Sequence, residues 1–266
     1  MMFDVDGHAV HASTGGLDLE GDDPVIVLVH GAGMDSTVWQ LQTRYIAYRG
    51  YRPLAVDLPG HGMSEGPALE SVPEMGAWLN RFIDAVGWGP AAVVGHSMGT
   101  FIAMEAAKNR PEQVASMVLF GSATAMPVHP DLLDKAANDV EGAAALMAAW
   151  SHAKPAHIGL NPTPGMWMIG GQRALVERSS AGALSTDLQA CAAYEGAPEA
   201  AAAISVPTTL VIGSGDKMTP PRAARGLADM IEGVNVVELA DTGHDVMFEN
   251  PRATRKAILA AVGQPA

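Results

Sequence analysis

The sequence predicts an α/β protein, a mainly parallel sheet covered by helices on its faces, with one long helical segment inserted between two strands. Three observations carry that reading. Short β-branched runs alternate with longer helical stretches, the pattern of repeated strand–helix–strand units. Val25-Ile26-Val27-Leu28-Val29 is apolar at every position, as a strand buried on both faces must be. From Ser122 to Ile204 no strand-like run occurs.

Taken in order, Val25 to Val29 is followed by a second strand run, Leu54-Ala55-Val56, and by a helix over Pro73 to Val86. A third strand run, Ala91-Ala92-Val93-Val94, leads into a helix over Met98 to Asn109 that Pro111 stops. Met117 to Phe120 is the next strand. The region from Ser122 to Ile204 is then Ala-rich and helical, interrupted by Pro127, Pro130, Pro155, Pro162 and Pro164. It is too apolar to be disordered, and its alanine runs (Ala143 to Ala145, Ala200 to Ala203) read as helix formers. Thr208 to Ile212 and Val234 to Val237 resume the strands, with helices over Pro221 to Ile231 and Pro251 to Val262. Prolines at or near these helix starts match the preference for the first helical position. No internal repeat is present.

Composition narrows the function. The 266 residues carry 16 Lys and Arg against 29 Asp and Glu, a formal charge of −13. Nucleic acid and anionic membranes both require clustered cations, so neither is expected as a partner. The same charge predicts weak capture of polyanionic substrates. Cys191 is the only cysteine, which excludes an intramolecular disulfide, a tetracysteine zinc site and CxxC redox chemistry. The start, Met1-Met2-Phe3-Asp4-Val5-Asp6, carries acids where a secretion signal carries cations, and the chain reads as cytosolic. Val86 to Met104 holds no charged residue, but Pro90, His96, Ser97 and several glycines argue against a membrane helix there. No coiled-coil heptads or interface stripe point to an oligomer.

One constellation carries chemistry. Gly95-His96-Ser97-Met98-Gly99 lies directly after a strand and directly before a helix, the context a G-x-S-x-G nucleophile elbow requires. So tight a turn strains the serine backbone and leaves no room for side chains on the flanking glycines. It lifts Ser97 Oγ clear of the sheet at a helix N-terminus, whose dipole favours developing negative charge. His30-Gly31-Ala32-Gly33 follows the first buried strand, and its glycines leave backbone N–H groups unobstructed, as an oxyanion hole needs. Asp216 and His244 lie on loops just past two later strands, at the same sheet edge as the elbow. The chain order Ser97, Asp216, His244 is that of a nucleophile, carboxylate and base triad on an α/β sheet. Asp241 and Asp245 flank His244 as rival carboxylates and rank below Asp216, because sequence neighbours rarely point into the ring nitrogen.

These motifs resemble the α/β-hydrolase superfamily, in its serine-nucleophile branch with a helical cap. The likeness covers nearly the whole chain outside the insertion and includes the run Asp57-Leu58-Pro59-Gly60-His61-Gly62-Met63-Ser64. In that family this run is a structural turn, so Asp57 and His61 receive no catalytic role. The resemblance implies an α/β-hydrolase fold, a mainly parallel twisted sheet flanked by helices. Its core is formed by residues 1–121 and 205–266, and its helical cap by residues 122–204. It implies that Ser97 attacks a carbonyl carbon, that His244 accepts and returns the proton, and that Asp216 orients and stabilises the imidazole. The backbone N–H groups of Met98 and Ala32 are expected to bind the oxyanion.

Ser97 at the elbow argues against epoxide and haloalkane chemistry, which superfamily members perform with Asp there. The expected activity is a carboxylesterase-like serine hydrolase acting on small or medium ester or related acyl substrates, without metal or organic cofactor. Alternatives are a carbon–carbon bond hydrolase or lactonase of a catabolic pathway, of which Arg173 near Trp167 keeps a trace, or a ligand-binding protein on the same fold. In the cap, Met126, Met147, Trp150, Met166, Trp167 and Met168 supply adaptable apolar surface, and Trp150, Met166 and Trp167 are the expected substrate-binding residues. His129, His152 and His157 lack metal-ligand spacing and read as solvated or locally hydrogen-bonded.

Overall fold

The computed structural model describes residues 1–17, 22–160 and 165–262; Pro162 and Pro164, expected to interrupt the inserted helices, lie outside the described residues. The strands are β1 (Met2–Val5), β2 (His8–Ser13), β3 (Val25–Val29), β4 (Arg52–Val56), β5 (Ala91–His96), β6 (Val114–Phe120), β7 (Thr208–Gly213) and β8 (Asn235–Leu239). They form one sheet in the order β1-β2-β4-β3-β5-β6-β7-β8. β2 pairs antiparallel with β1 and β4, and every other neighbouring pair is parallel. Each apolar run read as a strand is one, the last beginning a residue later than predicted.

The sheet divides the core in two because strand side chains alternate between its faces. Val25, Val27 and Val29 of β3 join one apolar cluster, whereas Ile26 and Leu28 join the other. Met117 and Leu119 against Val118 and Phe120 repeat the split on β6. Chain order also sets the place of the site. The chain passes from β3 to β4 on one side and returns across β3 to β5 on the other. At such a switch point the loops leaving the carboxyl ends of β3 and β5 diverge and open a crevice.

Two features went unread in the sequence. The β1–β2 hairpin turns at Asp6-Gly7, both with positive φ (57° and 81°), the conformation that a two-residue hairpin needs. Asp-Gly was a legible signal, but the flanking strands are short and partly exposed, so no apolar run marked them. The helix Gln40–Ala47 was also missed. Its buried face mixes the polar Gln42 and Thr43 with Ile46 and Ala47, so no clear hydrophobic period marks it. Gln42 Nε2 donates to the Met247 carbonyl (2.9 Å) instead.

Between β6 and β7 the described residues form the helices Pro130–Asn138, Val140–Ser151, Lys154–His157, Met168–Glu177, Ala183–Ala193 and Ala197–Ala202. Ala143, Ala144, Ala200 and Ala201 are fully buried. The alanine runs therefore let helices approach closely as well as favouring helix. The segment is fastened to helices outside it by Tyr194 Oη, which donates to Glu105 Oε1 (2.6 Å) in the helix Met98–Asn109, and by the Ala153 amide, which donates to Glu249 Oε2 (2.9 Å) in the helix Val246–Glu249. No helix among the described residues is long and apolar enough to cross a membrane. The uncharged stretch from Val86 to Met104 is divided among the end of the helix Val72–Val86, β5 and the helix Met98–Asn109.

Candidate active site

Ser97 occupies the single residue between β5 and the helix Met98–Asn109, with φ 52° and ψ −121°. That conformation costs a non-glycine residue on the order of 1–3 kcal/mol and persists only where its surroundings enforce it. Here the Ser97 amide donates to the Phe120 carbonyl (2.9 Å), and Thr100 Oγ1 donates to the Ser97 carbonyl (2.7 Å). A side chain on Gly95 would collide with the Gly99 carbonyl, and one on Gly99 with the Val29 carbonyl. Both glycines are thus dictated by close backbone approach, as their spacing predicts.

The loops after β7 and β8 bring Asp216 and His244 together. His244 Nδ1 donates to Asp216 Oδ2 (2.8 Å), and both side chains are buried. Asp216 is held from its other side: the amides of Met218 and Thr219 donate to Oδ1 (2.8 and 2.9 Å), and Thr219 Oγ1 donates to Oδ2 (2.7 Å). Burial pushes the Asp216 pKa up, but the His244 charge and these hydrogen bonds outweigh it, so the carboxyl titrates below its ordinary value. Burial likewise pulls His244 down, and the charge and hydrogen bond of Asp216 more than compensate, leaving its pKa raised. With Nδ1 engaged, His244 Nε2 is buried and has no partner among the described residues. Thr219 was not singled out in the sequence, although a Thr three residues after a loop Asp is a common closing partner for that carboxylate.

The rival carboxylates lie elsewhere. Asp241 is exposed. Asp245 is buried near His96 Nε2 (3.6 Å) and His152 Nε2 (3.9 Å) and not at the Nδ1 that Asp216 occupies. The His96 ring lies against the His244 ring (centroids 4.9 Å apart), and its Nε2 donates to the His244 carbonyl (3.2 Å). Burial, with the neighbouring His244 charge, lowers the His96 pKa to about 4, so this ring is neutral. All three cap histidines are locally hydrogen-bonded: exposed His129 Nδ1 accepts the Asp131 amide (3.2 Å), exposed His157 Nε2 donates to the His152 carbonyl (3.3 Å), and buried His152 Nδ1 donates to the Ala148 carbonyl (3.1 Å).

Gly31, Ala32, Ser97 and His244 line one cavity of about 390 Å³, with Gly31 packed directly against Ser97. The Ala32 amide has no acceptor among the described residues. The Met98 amide is the first of its helix and has no intrahelical acceptor. Apolar walls come from Met34, Met126, Leu132, Met147, Trp150 and Leu188. Trp150 therefore lies where the sequence expects it, but Met166 and Trp167 do not. They line a second cavity with Phe248 and Arg178, and Trp167 is 73% exposed. The reason is positional: Trp167 precedes the helix Met168–Glu177 and packs its ring against Gly170, on the side facing Thr37 and Phe248.

A sequence model of the alpha/beta hydrolase family matches residues 26–257. The chain belongs to that family. This hydrolase is 28% identical over 244 residues to a pimeloyl-[acyl-carrier protein] methyl ester esterase of Aromatoleum aromaticum, covering 86% of this chain and 94% of the relative. It is 32% identical to an (E)-2-((N-methylformamido)methylene)succinate hydrolase of Acinetobacter baylyi, over only 38% of each chain. Among solved structures it is similar to the enol-lactonase of Burkholderia xenovorans LB400, with TM-score 0.85 and 24% identity over 97% of this chain and 98% of that one.

In this hydrolase the turn expected to be structural is wired into the site's support. Asp57 is buried and accepts from the amides of Ser36 (2.6 Å) and Met63 (3.0 Å). Burial raises its pKa, and these bonds bring it below the ordinary value. His61 Nδ1 donates to the Pro59 carbonyl (3.0 Å) and Nε2 to Asp187 Oδ2 (2.9 Å). Asp187 Oδ2 also accepts the Gly33 amide (2.8 Å), beside Ala32. Asp187 is fully buried and comes from the inserted helix Ala183–Ala193, so no sequence signal tied it to the His30–Gly33 turn. His30 is neutral, its pKa lowered to about 4 by burial and by His61. Its Nε2 accepts the Leu58 amide (3.1 Å), and its Nδ1 donates to the Gly31 carbonyl (2.9 Å). Cys191 also lines the main cavity, but burial pushes its thiol pKa up, which disfavours the nucleophilic thiolate.

Proposed function

We propose that this protein is a serine hydrolase of carboxylic esters, working through an acyl-enzyme. One observation carries the reading. Ser97 stands on a strained elbow in the wall of an apolar cavity, and the wall also holds a histidine whose far nitrogen is fixed by a buried carboxylate and whose Nε2 has no partner among the described residues. The esterase relative that aligns along most of both chains supports the same reaction class.

In the first half-reaction Ser97 Oγ forms a bond to the ester carbonyl carbon while its proton passes to His244 Nε2. The charge left on the carbonyl oxygen is met by the Met98 and Ala32 amides, and the loss of one such donor costs roughly 10²–10³ in turnover. Collapse breaks the bond to the alkoxy oxygen, which takes the proton from His244 and departs as alcohol. In the second half, water gives a proton to His244 and adds to the acyl carbon, and Ser97 leaves with that proton as the acid is released. Asp216 holds the tautomer and stabilises the transient imidazolium without being protonated. Residues 122–204 act as a cap that shapes the acyl pocket over a core of residues 1–121 and 205–266.

Turnover of p-nitrophenyl esters from acetate to decanoate by wild type and Ser97→Ala tests this. The expected result is a peak at one acyl length and a loss of at least about 10⁴-fold in the variant. A serine-directed phosphonate is expected to label Ser97 alone. Wild-type rates surviving in Ser97→Ala, or phosphonate on another residue, would overturn the proposal.

A further inference from the structure

The cavity beside Ser97 is apolar except at the reacting groups and at a few donors away from them. Gln172 lines it and is only 1% exposed. Its amide orientation is set by a chain of bonds. His152 Nδ1 must carry its proton to donate to the Ala148 carbonyl, and it also lies 3.2 Å from Ser151 Oγ. Ser151 Oγ in turn donates to Gln172 Oε1 (2.8 Å). The carbonyl side of the amide is therefore used, and no partner for Nε2 is found among the described residues. That leaves the N–H₂ side of the amide free for an acceptor in the cavity that Gln172 lines.

Lys217 lines the same cavity from the loop after β7 and is exposed at its mouth. Its loop is pinned, because the following amides of Met218 and Thr219 both donate to Asp216. In a chain of net charge −13, no carboxylate lies within ion-pair distance of Lys217 among the described residues. His129 completes the set of donors. Its Nδ1 accepts the Asp131 amide (3.2 Å), which leaves Nε2 as the donor side of the ring, and the ring packs edge-on to Trp150 in the cavity wall.

Each of these side chains offers N–H groups, and none offers a free acceptor. From this we infer that the cavity holds a subsite for an anionic oxygen group. The preferred substrate is an ester that carries a second, ionised carboxylate away from the scissile bond, bound by Gln172 Nε2 and by Lys217 with help from His129. The inference rests on the serine-hydrolase reading and narrows its substrate class. It stands beside the expectation drawn from net charge: the molecule as a whole repels polyanions, while this cavity offers one cation with no ion-pair partner among the described residues.

The test compares two p-nitrophenyl esters of equal acyl length, the neutral pentanoate and the mono-ester of glutaric acid, with wild type, Gln172→Leu and Lys217→Met. Wild type is expected to favour the glutarate mono-ester. The ratio of the two kcat/KM values is expected to fall about 10- to 100-fold in Gln172→Leu, mainly through KM. In Lys217→Met the fall is expected to be smaller and to shrink in high salt, because that charge is exposed. Methylating the distal carboxyl must abolish the preference. Activity on both esters with the same ratio in all three proteins would overturn the subsite alone, as would a preference that survives methylation. Hydrolysis of neither ester by wild type would overturn the hydrolase reading with it. If Gln172→Leu fails to fold, Lys217→Met decides.

Discussion

Ser97 and His244 are coupled by what each lacks. The serine has no relaxed backbone conformation available at the elbow, and the histidine has one nitrogen engaged and the other open. Because Asp216 raises the His244 pKa, the proposed general base is protonated over a wider range than an isolated histidine. The proposed mechanism needs its neutral form, so kcat/KM is expected to rise with pH through an apparent pKa above 6.5. Asp216→Asn removes the charge and permits the wrong tautomer; kcat is expected to fall about 10⁴-fold and the pH profile to shift to lower pH. A loss below tenfold would instead return Asp245 to consideration. Ser97, Asp216 and His244 were all legible in the sequence because each follows a readable strand. Thr219, Gln172 and Asp187 were not, since a polar residue's value here depends on what faces it.

At the level of elements, the inserted helices are fastened to the loops of the candidate site by charge. The helix Ala183–Ala193 delivers Asp187 to His61 and to the Gly33 amide, joining insertion, Asp57–Ser64 turn and His30–Gly33 turn at one buried carboxylate. Both His61 nitrogens face acceptors, and the Asp187 charge and hydrogen bond outweigh burial, so the His61 pKa is raised. Asp187→Asn would leave that imidazolium uncompensated. It is expected to lower stability by roughly 3–5 kcal/mol in urea unfolding, as breaking a buried pair does. A raised pKa stabilises the fold fully below the unfolded value of 6.5 and progressively less as pH rises through the folded value. The difference between wild type and Asp187→Asn is therefore expected to narrow in alkaline buffer. A constant difference across pH would assign the effect to packing. The Ala-rich composition of the region from Ser122 to Ile204 predicted helices there, but nothing in it distinguished Asp187 from an ordinary surface acid.

For the whole molecule, buried titratable groups set a pH optimum of stability. His30 and His96 refuse protons until about pH 4, whereas the unfolded chain accepts them near 6.5, so stability falls as pH drops through that interval. Glu249, raised to about 8 chiefly by burial, acts in the opposite sense: the unfolded chain ionises it near 4.5, and stability declines as pH rises towards 8. The two histidines outweigh the one acid between 4.5 and 6.5, and above 6.5 Glu249, His61 and His244 all act downward. Urea midpoints measured from acid to mildly alkaline buffer are expected to peak near pH 6.5. A midpoint still rising at pH 8 would contradict this account.

By itself the sequence determined the fold class, the strand order in the chain, the elbow turn and the positions of Ser97, Asp216 and His244 at strand ends. Each of these is written in local patterns: apolar runs, glycines where backbones touch, and functional residues at strand ends. Tertiary structure alone decided which side chains of the insertion face the cavity. It turned Met166 and Trp167 to a separate hollow and placed Gln172 in the wall beside Ser97. The physical reason is that helix periodicity fixes which residues share a face but not which way that face is rolled. The roll is set by contacts far apart in sequence, such as Ser151 with Gln172 and Asp187 with His61.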